Sequence, residues 1–295
     1  MSPSSPEKLW RDARSLQAKG KLQRARKLFQ LARKQAPRVP GLALELGVLE
    51  AQMGLFKHAA ATLRDATQLA PALPDAHYNL AEVFHATGQP ERAMACFRKA
   101  LELDPEYAEA SFGLGGILLS QGNAAEALPQ LELAVQKLPQ DAEAQTVLAQ
   151  ALLELDQPQR ALQLLSAVVS RHGDYLAGHM EFLRALNSHA RPSQVARHIR
   201  SMEETFDMDD VLASFDHDSP GDISALELLA DCYQAGALNE RARQIGNMLH
   251  RRRSSRPSGA MLLGTLAIQD GDFDAAETWF QQVIELRPNA TDAMY

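Results

Sequence analysis

Between residues 203 and 222 the chain carries eight Asp or Glu and no Lys or Arg. At the end of that run Asp216, Asp218, Asp222, Ser224 and Glu227 place side-chain oxygens at short intervals around Gly221. Such spacing brings several hard oxygen ligands round one cation, while the glycine permits a sharp bend. Two readings stand side by side: a calcium loop, or a solvated acidic linker. Other chemistry finds little support. The nine histidines are scattered, with no HExxH pair and no Cys/His cluster at zinc spacing. No GxSxG, phosphate-binding loop or paired-carboxylate constellation stands out. His77, Glu82 and His85 share one helical stretch, which reads as exposure in a groove rather than ligation. The FGLGG run from Phe112 to Gly116 has no strand before it and is not a dinucleotide fingerprint. The expectation is a non-enzyme with no resident cofactor, calcium being the alternative.

The elements that carry these residues repeat at a fixed step. Gly20, Gly54, Gly88 and Gly122 are 34 residues apart, as are Ala25, Ala59, Ala93, Ala127 and Ala161, and Pro37, Pro71, Pro105 and Pro139. In the unit from Asp75 to Ala108, Leu80, Ala81 and Phe84 share one helical face, and Ala93, Phe97 and Ala100 share another. The turn Thr87-Gly88-Gln89-Pro90 divides the two helices, and Pro105 stops the second. These residues keep phase together over five repeats, and the sequence resembles the tetratricopeptide repeat family. The resemblance implies an all-α fold, a right-handed α-solenoid of stacked helix–turn–helix repeats. Gly115 then occupies a position where the repeat needs a small residue for close helix contact.

Repeats 1–6 are expected over residues 6–209, the sixth being degenerate, with Phe182, Leu186, Val195 and Ile199 retained. Residues 210–222 break phase as an acidic linker, repeats 7–8 follow over 223–290, and 291–295 begin a further repeat. Residues 216–227 resemble the twelve-residue calcium loop of an EF-hand. Asp216, Asp218 and Glu227 match its first, third and twelfth positions, and Ser224 its ninth. Pro220 departs from the pattern at the fifth position, where the family places an oxygen ligand. No polar cap is visible after Trp279 and Phe280, so the chain is expected to be a piece of a longer polypeptide. The same end is expected to expose apolar surface and to self-associate.

No stretch of 18 apolar residues exists to span a membrane, and the opening MSPSSPEKLWRDAR lacks the apolar core of a signal peptide. The expected location is cytoplasmic. Cys96 and Cys232 lie far apart inside helical patterns and read as buried thiols. Residues 1–38 hold eleven Lys or Arg against Glu7 and Asp12, a balance of +9, leaving −16 for the rest of a chain whose net charge is −7. A basic first repeat suits a solvated solenoid end, or contact with an acidic surface. Without interleaved aromatics it argues against nucleic acid. The basic run Arg251 to Arg256 reads as an exposed inter-repeat loop.

The resemblance also implies a concave wall built from the first helix of each repeat. Its inward positions hold Leu44 and Val48, then Tyr78, Glu82 and His85, then Phe112 and Leu119, then Thr146 and Gln150. An apolar strip bordered by carboxylates suits an amphipathic or extended peptide. The Lys, Asn and Arg set with which chaperone-binding members read a C-terminal carboxylate is absent in every register. So is the asparagine ladder of the glycosyltransferase branch, Asn79 having Glu45, Gly113 and Val147 as its equivalents. The function implied is a non-enzymatic scaffold that holds a protein or peptide segment in its groove. The alternative is the docking array of a larger enzyme of sulfotransferase, glycosyltransferase or methyltransferase type.

Overall fold

The structure, a computed structural model, describes residues 5–216, 219–251 and 257–286. Among these residues the chain is all helix and turn, with seventeen helices and no strand. It divides into two compact units, Met1–Ala151 and Leu152–Tyr295.

The first unit contains α1 (Pro6–Ala18), α2 (Leu22–Gln35), α3 (Pro40–Gln52), α4 (Phe56–Leu69), α5 (Pro74–Ala86), α6 (Pro90–Leu103), α7 (Ala108–Ser120), α8 (Ala124–Lys137) and most of α9 (Ala142–Glu154). Odd-numbered helices begin at residues 6, 40, 74, 108 and 142, so the 34-residue step of the sequence is also the step of the backbone. Gly20, Gly54, Gly88 and Gly122 all adopt positive φ, between 68° and 76°, at the turn inside each hairpin. In repeat 5 that position falls to Asp156, which takes φ 55° in its place. Proline opens α1, α3, α5 and α6 at a position where its missing N–H costs nothing.

Each hairpin closes on one large and several small side chains. Phe29, Leu63, Phe97 and Leu131 hold the same register and are fully buried, and Ala25, Ala59, Ala93 and Ala127 lie one turn earlier. Burying one such large side chain contributes roughly 1.5–3 kcal/mol. The facing helix must yield space for it. A Cβ built on Gly47 would sit 2.6 Å from Leu63, and one on Gly115 would sit 2.7 Å from Leu131. Gly115 is therefore a packing residue, as the sequence suggests. Adjacent hairpins stack through α2 on α3, α4 on α5 and α6 on α7, and α3 also touches α5. Between the first two repeats, buried Glu50 accepts from Arg26 at 2.9 Å and from the Thr62 hydroxyl at 2.9 Å.

The second unit continues with α10 (Pro158–Arg171), α11 (Leu176–His189) and α12 (Pro192–Thr205), still at the 34-residue step. The degenerate sixth repeat therefore keeps its backbone phase. Next come α13 (Met208–Ser214), α14 (Pro220–Ala235), α15 (Asn239–Arg251), α16 (Ser258–Asp270) and α17 (Phe273–Leu286). The expected acidic linker is largely helical: α13 buries Met208, Val211 and Leu212 in the core, with its carboxylates outside. The phase break thus lies inside the second unit and adds a helix to it.

At the last hairpin Trp279 and Phe280 are half-buried. Trp279 meets the His250 ring edge-on at 4.9 Å, and Phe280 lies over Gly264. The exposed apolar side chains there are Phe273, at 70%, Ile268 and Leu286. Residues 291–295, and 252–256 of the basic run, lie outside the described residues.

Candidate functional site

The inward positions of α3, α5, α7 and α9 in the first unit differ in depth. Leu44, Val48, Tyr78, Phe112 and Gln150 are half-buried, Glu82 and His85 are exposed, and Leu119 and Thr146 are buried. Leu44 packs beside the small cluster of Ala43, Ala66 and Ala76. The Thr146 hydroxyl donates to the Ala142 carbonyl at 2.7 Å, so its polar atom is used within its own helix. Leu119 and Thr146 are buried, unlike the other seven.

Tyr78 sits at the centre of an aromatic patch that periodicity alone does not reveal. Its ring lies 5.1 Å from Tyr107 and 6.0 Å from Phe97. Tyr107, in the loop before α7, donates its hydroxyl to Asp75 of the previous repeat at 2.8 Å. Burial first, then the carboxylates Glu82 and Glu109, push the Tyr78 phenol up to about 12. Burial raises the Glu82 carboxyl too, against a smaller opposing effect of His85. The side chain of Glu82 reaches solvent, yet wall atoms crowd its carboxyl enough to disfavour the charge. Asp75, Glu82, Glu109 and Glu143 are all exposed along this wall.

The line of inward positions extends one repeat further back than the Leu44 to Thr146 series, to Trp10. There the Trp10 indole donates to Glu45 at 2.8 Å, while Arg14 both pairs with Glu45 and lies over the Trp10 ring at 5.1 Å. Glu45 ties α1 to α3 and occupies that end of the wall. These positions combine half-buried rings with exposed carboxylates.

The segment read as a calcium loop or as a solvated acidic linker runs into α14. Because Pro220 favours the first turn of a helix, α14 begins there, and Asp222, Ser224 and Glu227 ride on helix rather than loop. Asp222 accepts from the Asp216 backbone N–H at 2.8 Å, and the Ser224 hydroxyl donates to the Pro220 carbonyl at 3.0 Å. Asp218 lies outside the described residues, among which no group of three or more His, Cys, Asp or Glu could hold a metal. Burial raises both the Cys96 and the Cys232 thiol, the latter to about 12, which keeps them protonated.

Tetratricopeptide repeat models match residues 11–74, 50–101, 78–142, 118–180 and 259–290. The chain belongs to the tetratricopeptide repeat family. No curated protein sequence matches it. Among solved structures, this tetratricopeptide repeat chain is similar to MamA from Desulfovibrio magneticus RS-1, with 22% identity and a TM-score of 0.52 over 56% of this chain and 94% of that one. It is also similar to YrrB, a TPR protein with an unusual peptide-binding site, with 22% identity and a TM-score of 0.50 over 58% and 88% of the two chains. A tetratricopeptide repeat protein from Parabacteroides merdae ATCC 43184 aligns along nearly the whole length, 98% of this chain and 96% of its own, with 15% identity and a TM-score of 0.52. These likenesses show the fold. Among the described residues of the tetratricopeptide repeat chain, no helix is long and apolar enough to cross a membrane.

Proposed function

We propose that the chain is a non-enzymatic interaction scaffold whose first unit holds an extended or amphipathic peptide segment against the inner wall of repeats 2 to 5. The observation that carries this reading is the pairing of half-buried Tyr78 with exposed Glu82, whose carboxyl is raised by the atoms around it. A charge disfavoured in the free protein is one that a cationic partner can relieve. With Asp75, Glu109 and Glu143 along the same wall, the partner that fits presents apolar side chains and Lys or Arg. Rings that are partly shielded already lose little freedom on binding, which favours them as anchors. The family and the peptide-binding site named for YrrB agree with this reading. The experiment is a fluorescence titration with amphipathic peptides matched in apolar content and opposite in charge. The basic set should bind, weaken with added salt and lose affinity in Tyr78→Ala. Equal affinity for the acidic set would oppose the reading.

A further inference from the structure

The second unit holds a cleft of about 450 Å³ between α10, α11 and α12, remote in sequence from the groove and independent of the proposal above. Its wall includes His179 and His198, which are only 3% and 8% exposed and stack with ring centroids 5.0 Å apart. Both ring nitrogens of His179, and Nε2 of His198, lack any hydrogen-bond partner. Buried polar groups normally find partners, so three orphaned nitrogens on one wall require an account.

The register explains how His179 comes to be unpaired. At the equivalent position His77 bonds the Pro71 carbonyl at 2.9 Å and Gln145 bonds the Pro139 carbonyl at 2.7 Å, each six residues back. His179 faces Gly173 in the same way. That backbone slightly favours a proton on the ring, but no hydrogen bond of ordinary geometry closes. The rest of the lining is one-sided. It contributes Arg197 and the hydroxyls of Ser166, Ser170 and Ser201, with no Asp or Glu. Burial keeps both imidazoles neutral, and His198 is pushed down to about 4 by burial and then by His179. The His179 backbone engages the one N–H of neutral His198, whereas the N–H of neutral His179 has no partner and stays free to donate.

We infer that this cleft is a binding site for a small oxyanion, a phosphate-type or carboxylate group, held by Arg197 at the mouth and by the His179 N–H within, with His198 stacked behind it. Arg197 supplies the countercharge, and the Ser166 and Ser201 hydroxyls add donors, that of Ser170 being given to the Ser166 carbonyl at 2.7 Å. The unpartnered nitrogens of His179 are buried, so engaging one takes a turn of the imidazole about χ2, a soft torsion in histidine. An oxyanion in the cleft would satisfy groups that the free protein leaves unpaired, without displacing an existing carboxylate.

The test uses the whole chain, with calorimetry and the histidine ring-proton resonances as readouts. Inorganic sulfate stands for the tetrahedral group and acetate for the planar one, each against chloride at matched ionic strength. Saturable millimolar binding of either salt, with shifts at the His179 and His198 resonances, is expected, and whichever binds more tightly fixes the geometry preferred. Arg197→Gln, an exposed position, should weaken binding by about tenfold or more, because a charge-assisted contact is lost. His179→Phe should abolish it, and if that variant fails to fold, Arg197→Gln decides alone. Absence of saturable binding by both salts, or affinity unchanged in Arg197→Gln, would overturn the assignment.

Discussion

The Tyr107 hydroxyl reaches back one repeat to donate to Asp75 at 2.8 Å, and in doing so sets its ring 5.1 Å from Tyr78. A residue of the inter-repeat loop thereby buttresses an anchor of the inner wall. Tyr107→Phe removes the bond but keeps the ring. It should cost at most about 1 kcal/mol in stability, because the pair is exposed to water, and should lower peptide affinity less than Tyr78→Ala does. Chemical denaturation alongside peptide titration would check both. A loss of affinity equal to that of Tyr78→Ala would make Tyr107 a contact residue in its own right.

Gly115 and its neighbour Gly116 differ sharply in surroundings. A Cβ on Gly115 would meet Leu131 at 2.7 Å, whereas one on Gly116 would meet nothing within 4 Å. Gly115→Ala should therefore destabilise by about 1–3 kcal/mol through overpacking. Gly116→Ala should be neutral or stabilising by up to about 1 kcal/mol, since alanine is the better helix former. Urea melts of the two variants provide the comparison. A reversed order would contradict the packing described for the α7/α8 hairpin.

Much of this fold was legible because packing and turn requirements recur with the backbone step. The positive-φ glycines, the alanines and the buried Phe29, Leu63, Phe97 and Leu131 each obey one spacing. What escaped the pattern had a physical reason in each case. Tyr107 lies in a loop, outside helical phase, so its bond to Asp75 is set by stacking between repeats. In α13 three buried apolar residues are interspersed with carboxylates, and a charge count sees only the latter. The oxygen ladder from Asp216 to Glu227 reads as a loop until Pro220 starts α14. Of the candidate wall, the register of Leu44, Val48, Tyr78, Glu82, His85, Phe112 and Gln150 could be read, but the depth that buries Leu119 and Thr146 could not.

The raised carboxyl of Glu82 carries a sign that can be checked. A folded-state value above the ordinary one means that stability is whole at acid pH and diminishes as pH rises through that value. Glu82→Gln removes the penalty. Its melting temperature should exceed that of the parent at neutral pH and match it in acid, while affinity for a basic peptide falls. A lower melting temperature at neutral pH would contradict the crowding inferred around the carboxyl.

For His198 the sign is opposite. Its folded value is pushed down to about 4 by burial and by His179, below the 6.5 of an ordinary histidine. The unfolded chain therefore takes up a proton first, and stability is lost as pH falls from about 6.5 towards about 4, by up to about 3 kcal/mol. His198→Phe should flatten the upper part of that acid limb, read as melting temperature against pH, in the absence of added oxyanions. An acid limb unchanged by the substitution would show that the imidazole is not held neutral by the fold.

In the proposed function the inner wall of the first unit binds a peptide through Tyr78 and Phe112. The most direct measurement is the affinity of a captured basic, amphipathic peptide for the parent chain and for the Tyr78→Ala/Phe112→Ala double variant, with helicity and melting temperature recorded on the same samples. Affinity is expected to fall by on the order of 2 kcal/mol or more while helicity is retained. Undiminished affinity in a folded double variant would contradict it.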